Sequence, residues 1–161
     1  MLNRDPGGAK SPLLAVGLTS LYLQRMEQDL DIGPVIVFDG DCVLCSASAQ
    51  FVLRHDRTAR FRLAAMQTVA GAELARRHGI DPADPQSIAL VSGQKALTDS
   101  DAILAIGQGL GWPWKVVGVL RIVPKRLRDA AYRFIARNRY RLFGRREGCF
   151  APAPDHRSRI L

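Results

Sequence analysis

The stretch VIVFDGDCVLC, residues 35–45, decides how the rest of the chain is interpreted. Its first four residues, Val35–Phe38, are apolar and β-branched or aromatic, which predicts a buried strand. An Asp-Gly-Asp turn follows, and Cys42 and Cys45 then open a run with helical periodicity that extends to His55. Two thiols three residues apart at the start of a helix, directly after a strand, are the arrangement that thiol–disulfide exchange requires. The stretch therefore predicts a redox-active βα unit.

The polar residues of this stretch have distinct expected roles. Cys42 lies nearest the helix start, where free N–H groups and the helix dipole favour a thiolate, so it is the predicted nucleophile and is expected to lie near the solvent. Cys45 is the predicted resolving thiol and is expected to be buried. Asp39 has two interpretations, a carboxylate that takes the proton of Cys45 or a turn residue that binds backbone N–H groups. Asp41 is the expected N-cap of the helix and is counted among the substrate-binding residues.

The apolar patterns that follow predict three more strands and two more helices. The strands are expected at 60–66, 87–91 and 95–98, and the helices at 68–78 and 99–107. Thr68 is the expected N-cap and Gly79 the expected C′ residue of the first of these helices. The resulting βαβαββα order, which closes with a β-hairpin and a helix, is that of a thioredoxin-like α/β core.

The second of these helices begins with Asp99-Ser100-Asp101, which is expected to cap it. Ser100 and Asp101 also resemble the polar pair with which glutaredoxins hold the carboxylate of glutathione, because exposed N–H groups at a helix start can bind an anion. Capping and substrate binding therefore both stay open for these two residues.

The C-terminal third is strongly basic and is expected to be helical. Residues 1–114 carry 10 Lys or Arg against 12 Asp or Glu, whereas residues 115–161 carry 13 against 3. A helix is predicted at 125–143, ended by Gly144. Its expected packed face consists of apolar residues, namely Leu127, Ala131, Phe134, Ile135 and Leu142. Arg133, Arg137 and Arg141 recur every four residues and form a stripe that is expected to dock on an acidic surface, either on a partner or near Asp39 and Asp41.

These elements predict an N-terminal extension at 1–33, partly disordered, and one domain at 34–161. The domain divides into a core at 34–108 and a basic helical extension at 112–161. The chain has no apolar run of membrane-spanning length and no recognisable signal peptide, so a cytoplasmic protein that is not integral to a membrane is expected. No cofactor and no metal site are expected, because Cys149 and three scattered histidines add no paired ligand spacing to the two cysteines. Cys149 is expected to be a free thiol or, if the tail folds back, a partner of the active pair.

Several blocks of this sequence resemble the DCC family of thiol-disulfide oxidoreductases, named for an Asp and two Cys. Asp39, Cys42 and Cys45 match its signature, and the likeness covers roughly residues 34–161. Further matching blocks are 61–67, 100–102, Pro124, 128–132, 136–141, 143–146 and Cys149. The resemblance implies a thioredoxin-like fold and a protein or small-molecule thiol or disulfide as substrate, with glutathione one candidate. Thioredoxins carry a cis-proline directly before the third strand, and here either a shifted Pro85 or Ser87 is expected in its place.

Two other function classes compete with the redox interpretation. Asp39-x-Asp41 after a strand is similar to the first motif of haloacid-dehalogenase-type phosphotransferases, but no later acidic pair stands in the required order, and Val43 replaces the usual Thr or Ser. A non-enzymatic module could instead use the basic C-terminal third to bind an anionic partner, either nucleic acid or anionic lipid, of which nucleic acid is disfavoured. Thiol–disulfide exchange is favoured over both because it uses the two cysteines and their position on a βα unit.

Overall fold

A computed structural model of the protein describes residue 24 and residues 33–83, 87–146 and 150–161. Most of the predicted N-terminal extension, Pro85 and Cys149 lie outside these residues. The proposed division of the chain at residue 33 therefore stays a prediction.

The fold is organised around a four-stranded mixed sheet in the order β2-β1-β3-β4. The strands are β1 (Val35–Phe38), β2 (Arg62–Ala65), β3 (Ala89–Ser92) and β4 (Lys95–Thr98). Strand β1 pairs in parallel with β2 and antiparallel with β3, and β3 forms a hairpin with β4. Because β1 has a neighbour on each side and helices cover both of its faces, all four of its residues are fully buried.

Within residues 33–83, 87–146 and 150–161, four α-helices accompany the sheet, and a helical C-terminal region follows the core. The helices are α1 (Val43–His55), α2 (Val69–Arg77), α3 (Asp99–Gly109) and α4 (Lys125–Phe143), and two 3-10 helices span Trp114–Ile122 and Pro154–Arg159. The predicted α/β fold, with its thioredoxin-like core and basic C-terminal helix, is confirmed. The caps of α2 are confirmed too, since Thr68 Oγ1 accepts the N–H of Gly71 at 3.1 Å and Gly79 adopts a φ of +71°.

The hydrophobic core lies on both faces of the sheet. One face, which carries Ile36, Phe38 and Leu63, packs against α1 and α3. The other face carries Val35 and Val37 and packs against α2. Since both faces are covered, strand β2 is buried on both sides, with Leu63 on the first face and Ala64 on the second.

The predicted packed face of α4 is wrong. Leu127, Phe134 and Leu142 are 63%, 69% and 59% exposed, whereas Asp129 and Arg139 are buried together with Ala136. The helix turns its polar side inward because the core offers carboxylates and a helix start to which these charged groups bind. Hydrophobic periodicity alone selects the opposite face.

The end of the chain returns to the sheet. The backbone N–H of Leu161 donates to the carbonyl oxygen of Leu63 at 2.9 Å, and Ile160 forms a bridge beside β2. Arg159 forms an ion pair with the buried Asp56. Among the residues that the structure describes, no helix is both long enough and apolar enough to cross a membrane.

Candidate active site

The loop between β1 and α1 brings an aspartate and two thiols to one end of the sheet. Asp39 directly follows β1 and is buried, and its Oδ1 accepts the backbone N–H of Asp41 at 3.0 Å. This contact confirms the turn-forming interpretation of Asp39, while its role in proton transfer stays a prediction. A Cβ at Gly40 would lie 2.8 Å from Oε1 of Gln67, so the Gln67 side chain would have to shift.

Cys42, and not Asp41, is the N-cap of α1. Its Sγ accepts the backbone N–H of Cys45 at 3.4 Å, whereas the Asp41 side chain is exposed to solvent and caps nothing. A sulfur in this position faces the free N–H groups of the first turn and the positive end of the helix dipole, which stabilise a thiolate. The role of Cys42 as the attacking thiol stays a prediction.

The exposure of the two cysteines is the reverse of the prediction. Cys42 is fully buried, Cys45 is partly exposed, and both thiols are free. The cause lies in residues 144–146, called the strap below, which follow α4 and pair antiparallel with Cys42. The strap is fixed by the N–H of Arg146, which donates to the carbonyl oxygen of Asp41 at 2.7 Å. Local sequence patterns could not predict that the strap covers Cys42, because the strap lies about a hundred residues further along the chain.

Cys45 opens into a cavity of about 210 Å³ between α1, α4 and the loop before β3. The cavity is mostly apolar, and polar groups of four residues line it besides the thiol. These residues are Asp39, Ser87, Tyr132 and Arg139, and the apolar lining comes from Leu44, Ile88, Ile103, Ile135 and Ala136. Burial and the adjacent Cys42 raise the pKa of the Cys45 thiol, and the positive charge of Arg139 offsets part of this increase. The Cys45 thiol is therefore protonated at neutral pH.

A buried ionic cluster attaches α4 to this site. Arg139 Nη2 donates to Asp39 Oδ2 at 3.1 Å, the Tyr140 hydroxyl donates to the same oxygen, and Gln67 Nε2 donates to Asp39 Oδ1 at 2.8 Å. Burial alone would raise the pKa of Asp39, but hydrogen bonds from Tyr140, Gln67, the Asp41 backbone and Arg139 outweigh it, so the pKa is lowered. Asp39 is thus a carboxylate whose two oxygens each accept two hydrogen bonds.

Tyr140 connects the ionic cluster to the strap. The guanidinium of Arg139 lies 4.6 Å from the centroid of its ring, and that of Arg145, within the strap, lies 4.3 Å from it. Such cation–π contacts stabilise most where solvent is excluded. The groups that hold Asp39 therefore also hold the segment that covers Cys42.

The loop before β3 contributes a second polar contact between the core and α4. The Tyr132 hydroxyl accepts the N–H of Ile88 at 3.0 Å, and Ser87 Oγ accepts the N–H of Asp99 at 2.8 Å. Ser87 lines the Cys45 cavity, at the place where a thioredoxin-like fold presents its cis-proline loop. Because Pro85 lies outside the described residues, the choice between Pro85 and Ser87 for that position stays open.

Ser100 and Asp101 lie at the start of α3 and bind α4. The backbone N–H of Ser100 donates to Asp129 Oδ1 at 3.4 Å, and its hydroxyl donates to the same oxygen. Asp101 pairs with Lys125 at 2.6 Å and with Arg128 at 3.2 Å. The N–H and hydroxyl of Ser100 thus already bind the Asp129 carboxylate of the same chain. A substrate-binding role of Ser100 and Asp101 stays a prediction.

The capping prediction for this helix is wrong. The residue before α3 is Thr98, whose side chain makes no capping hydrogen bond. Asp99 is the first helical residue, has a φ of +52°, and pairs with Arg133 at 2.9 Å. The predicted arginine stripe therefore has one internal partner, whereas Arg137 and Arg141 are exposed. None of its three arginines is the residue that binds Asp39.

Sequence reasoning did not assign site roles to Gln67, Tyr132, Arg139 and Tyr140. One general signal pointed to them, because a buried aspartate at the end of a strand requires a cation and hydrogen-bond donors. The basic C-terminal helix was the richest source of such a cation. Which of its arginines turns inward is not visible in the apolar periodicity. Within residues 33–83, 87–146 and 150–161, no three His, Cys, Asp or Glu side chains come together in a way that could hold a metal ion.

Comparisons with known proteins identify a family that this chain resembles. The family model of DCC1-like thiol-disulfide oxidoreductases matches residues 36–145. The chain is 32% identical over 127 residues to the uncharacterized protein YuxK of Bacillus subtilis (strain 168). This alignment covers 79% of this chain and 93% of that protein. It is 37% identical over 120 residues to a chloroplastic DCC family protein of Arabidopsis thaliana. This alignment covers 74% of this chain and 70% of that protein. No solved structure matches the chain. Since one relative is chloroplastic, the expected cytoplasmic location stays a prediction.

Proposed function

Because this chain belongs to the DCC1-like thiol-disulfide oxidoreductase family, we propose that it exchanges disulfides through Cys42 and Cys45. The observation that carries the proposal is the arrangement of the two free thiols in the first turn of α1. Cys42 Sγ accepts the N–H of Cys45 as the N-cap, and Cys45 opens into the adjacent cavity. The substrates are thiols and disulfides of proteins or small molecules.

The proposed exchange has two steps, described here for reduction of a substrate. The Cys42 thiolate attacks one sulfur of the substrate disulfide, an S–S bond to Cys42 forms, and the other substrate sulfur leaves as a thiolate that takes a proton from water. Cys45 then loses its proton and attacks the Cys42 sulfur, which releases the second substrate thiolate. The substrate gains two electrons and the protein retains a Cys42–Cys45 disulfide. A dithiol is oxidised by the same steps in reverse.

The second step requires Cys45 to ionise although its pKa is raised. Arg139 lines the same cavity, and its charge lowers the cost of a thiolate at Cys45. Asp39 holds this guanidinium in place through the bond at 3.1 Å. We assign Asp39 a positioning role, because its oxygens are already occupied and its lowered pKa makes it a weak base.

Proton acceptance by Asp39 is the competing interpretation, and the Asp39→Asn variant separates the two. If Asp39 is the base, the second step should become slow at all pH values. If it positions Arg139, the step should keep its maximal rate at high pH, and only the pH midpoint that follows ionisation of the Cys45 thiol should move. Displacement of Arg139 raises this midpoint, whereas loss of the Asp39 charge, which itself raises the pKa of Cys45, lowers it. The measurement is single-turnover release of substrate thiol between pH 6 and pH 9.

Access to Cys42 requires the strap to move away from it, because Cys42 is fully buried while the strap is in place. The exposure of Cys45 favours the opposite order, in which Cys45 attacks first and Cys42 resolves. Trapping of mixed disulfides distinguishes the two orders. In a Cys149→Ser background, the Cys45→Ser variant should trap substrate on Cys42, and the Cys42→Ser variant should trap none.

Each outcome of the trapping experiment has a defined meaning. Trapping only by the Cys42→Ser variant would establish the reverse order. Trapping by neither variant, with no disulfide forming between Cys42 and Cys45 in oxidising buffer, would contradict the proposed function. The variant that lacks all three cysteines is the control for non-covalent capture.

A further inference from the structure

The outer face of α4 is apolar although it lies on the surface. We define it by Leu127, Phe134, Ile135 and Leu142, which are 46–69% exposed. At a rise of about 1.5 Å per residue, the row from 127 to 142 extends about 22 Å. Ile122 and Val123, directly before α4, lengthen the apolar surface and are exposed as well. Asn138 is the one polar residue within this row, and its side-chain amide donates to the carbonyl oxygen of Phe134 at 2.7 Å. Exposed apolar surface of this length on a small protein marks an interaction site.

Positive charge borders this face on one side. Arg126, Arg137 and Arg141 lie on α4 beside the apolar row, and all three side chains are exposed. On an ideal helix their directions fall within about 60° of one another. Within the outward half of α4 no acidic side chain is present, since its only carboxylate, Asp129, is buried against Ser100. The outer face therefore combines a protruding apolar row with a one-sided row of arginines.

We propose that the outer face of α4 docks onto the surface of an anionic lipid bilayer, with α4 parallel to the membrane plane. Helices with this combination of apolar and basic faces bury the apolar face at the boundary of headgroups and acyl chains. Long arginine side chains can reach the headgroup phosphates from beside the buried row. An exposed helix face of this kind can lie on a bilayer without a matching groove. An acidic protein would have to supply both the groove and the countercharge.

This docking does not depend on the redox chemistry, but it fixes the position of the redox site relative to the lipid surface. Ile135 belongs to the outer face and also lines the Cys45 cavity. A docked molecule therefore holds the mouth of this cavity at the edge of the lipid surface. The opposite side of α4 stays attached to the core by Arg139 and Tyr140, so docking needs no rearrangement of the fold.

Flotation of the full-length protein with lipid vesicles tests the proposal. Binding is expected to vesicles that contain 30% phosphatidylglycerol in phosphatidylcholine, and not to pure phosphatidylcholine. Raising the salt concentration to 0.5 M should release most of the protein. The double variant Arg137→Glu/Arg141→Glu should lower the partition coefficient about tenfold or more. The double variant Leu127→Ser/Phe134→Ser should lower it by a similar factor.

Two controls isolate the outer face. The double variant Arg57→Glu/Arg157→Glu makes the same change in net charge at exposed arginines outside α4, and it should retain most of the binding. Far-UV circular dichroism and thermal melts should show that all variants are folded. Equal loss of binding in this control and in the α4 charge variant would overturn the proposal, because net charge alone would then explain it.

Other results would also overturn it. Absence of binding to anionic vesicles at low salt would do so directly. Concentration-dependent dimers that Phe134→Ser abolishes, without vesicle binding, would identify the face as an interface between copies of this chain. Stoichiometric capture of an acidic protein in place of vesicles would identify a protein partner. Loss of vesicle binding leaves the cysteine-trapping experiment unaffected, so the two proposals fail independently.

Discussion

Helix α4 is attached to the core by two ionic clusters that differ in their burial. Near its C-terminal end, Arg139 and Asp39 pair with side chains that are 7% and 3% exposed. Near its N-terminal end, Lys125 and Asp101 pair with side chains that are 57% and 34% exposed. Removing one partner of a buried pair leaves an uncompensated charge in the interior, whereas water replaces a lost partner at the surface. An ion pair should therefore contribute much more to the free energy of unfolding near the C-terminal end of α4 than near its N-terminal end.

The two clusters also differ in their relation to the thiols. The buried cluster shares the cavity of Cys45 and, through Tyr140, contacts the strap that covers Cys42. The exposed cluster joins α4 to the start of α3, where Ser100 binds Asp129. Variants of the buried cluster should thus alter stability and thiol reactivity together. Variants of the exposed cluster should alter stability alone.

The largest effect is expected from Arg139→Met. It leaves the Asp39 carboxylate buried without its cation and should lower the free energy of unfolding by about 3–5 kcal/mol. Urea denaturation at pH 7 measures this loss. The matched control is Arg137→Met, an exposed residue of the same helix, which should change stability by less than about 0.5 kcal/mol. Similar values for both variants would contradict the ranking of the two clusters.

A smaller effect is expected from Tyr140→Phe. The variant removes one hydrogen bond to a carboxylate, a contribution of about 1.5–3 kcal/mol, and keeps the ring on which both guanidinium groups lie. If the Tyr140 hydroxyl holds the strap in place through Asp39, Cys42 should also be alkylated faster by limiting iodoacetamide. Mass spectrometry of the labelled peptides gives the ratio of Cys42 to Cys45 modification. An unchanged ratio would show that the strap does not depend on this hydroxyl.

The cluster near the N-terminal end of α4 should lose stability in acid through its buried member, Asp129. The hydrogen bond from Ser100 and the ion pair with Lys125 lower the pKa of Asp129 from 3.8 to about 2. Its stabilising contribution is therefore present above pH 3.8 and is lost as the pH falls towards 2. The Asp129→Asn variant should lose less stability than the wild type over this interval. Melting temperatures at a series of pH values test this, and parallel curves would contradict it.

The smallest effect is expected from Lys125→Met. Because this lysine is more than half exposed, its two ion pairs should contribute at most about 1 kcal/mol. The difference from the wild type should shrink as the salt concentration rises, since exposed charges are screened. Chemical denaturation in urea at 0.05 M and 0.5 M sodium chloride measures it. A loss that exceeds that of Tyr140→Phe would reverse the comparison.

Local sequence patterns predicted the fold to a large extent. The apolar run of β1, the hairpin before α3 and the caps Thr68 and Gly79 each depend on residues close together in the chain. Their preferences point to the same α/β order that the structure shows. The positions of both cysteines at the start of α1 followed from the same local reasoning.

The site was predicted less completely, because its decisive contacts are distant in sequence. Arg139 reaches Asp39 across 100 residues, and the strap reaches Cys42 across a similar separation. Neither contact leaves a periodic signal. The apolar pattern of α4 pointed to the wrong face, because hydrophobic periodicity records only apolar burial, while carboxylates of the core selected the charged face.

The sequence by itself therefore determined the βα unit, the position of the two thiols and the family to which the chain belongs. Only the tertiary structure decided which cysteine is covered, which arginine neutralises Asp39 and which face of α4 meets the solvent. The physical reason is the range of the interactions. Strand, helix and capping preferences act over a few residues, whereas burial of a charge depends on whichever opposite charge the fold brings beside it.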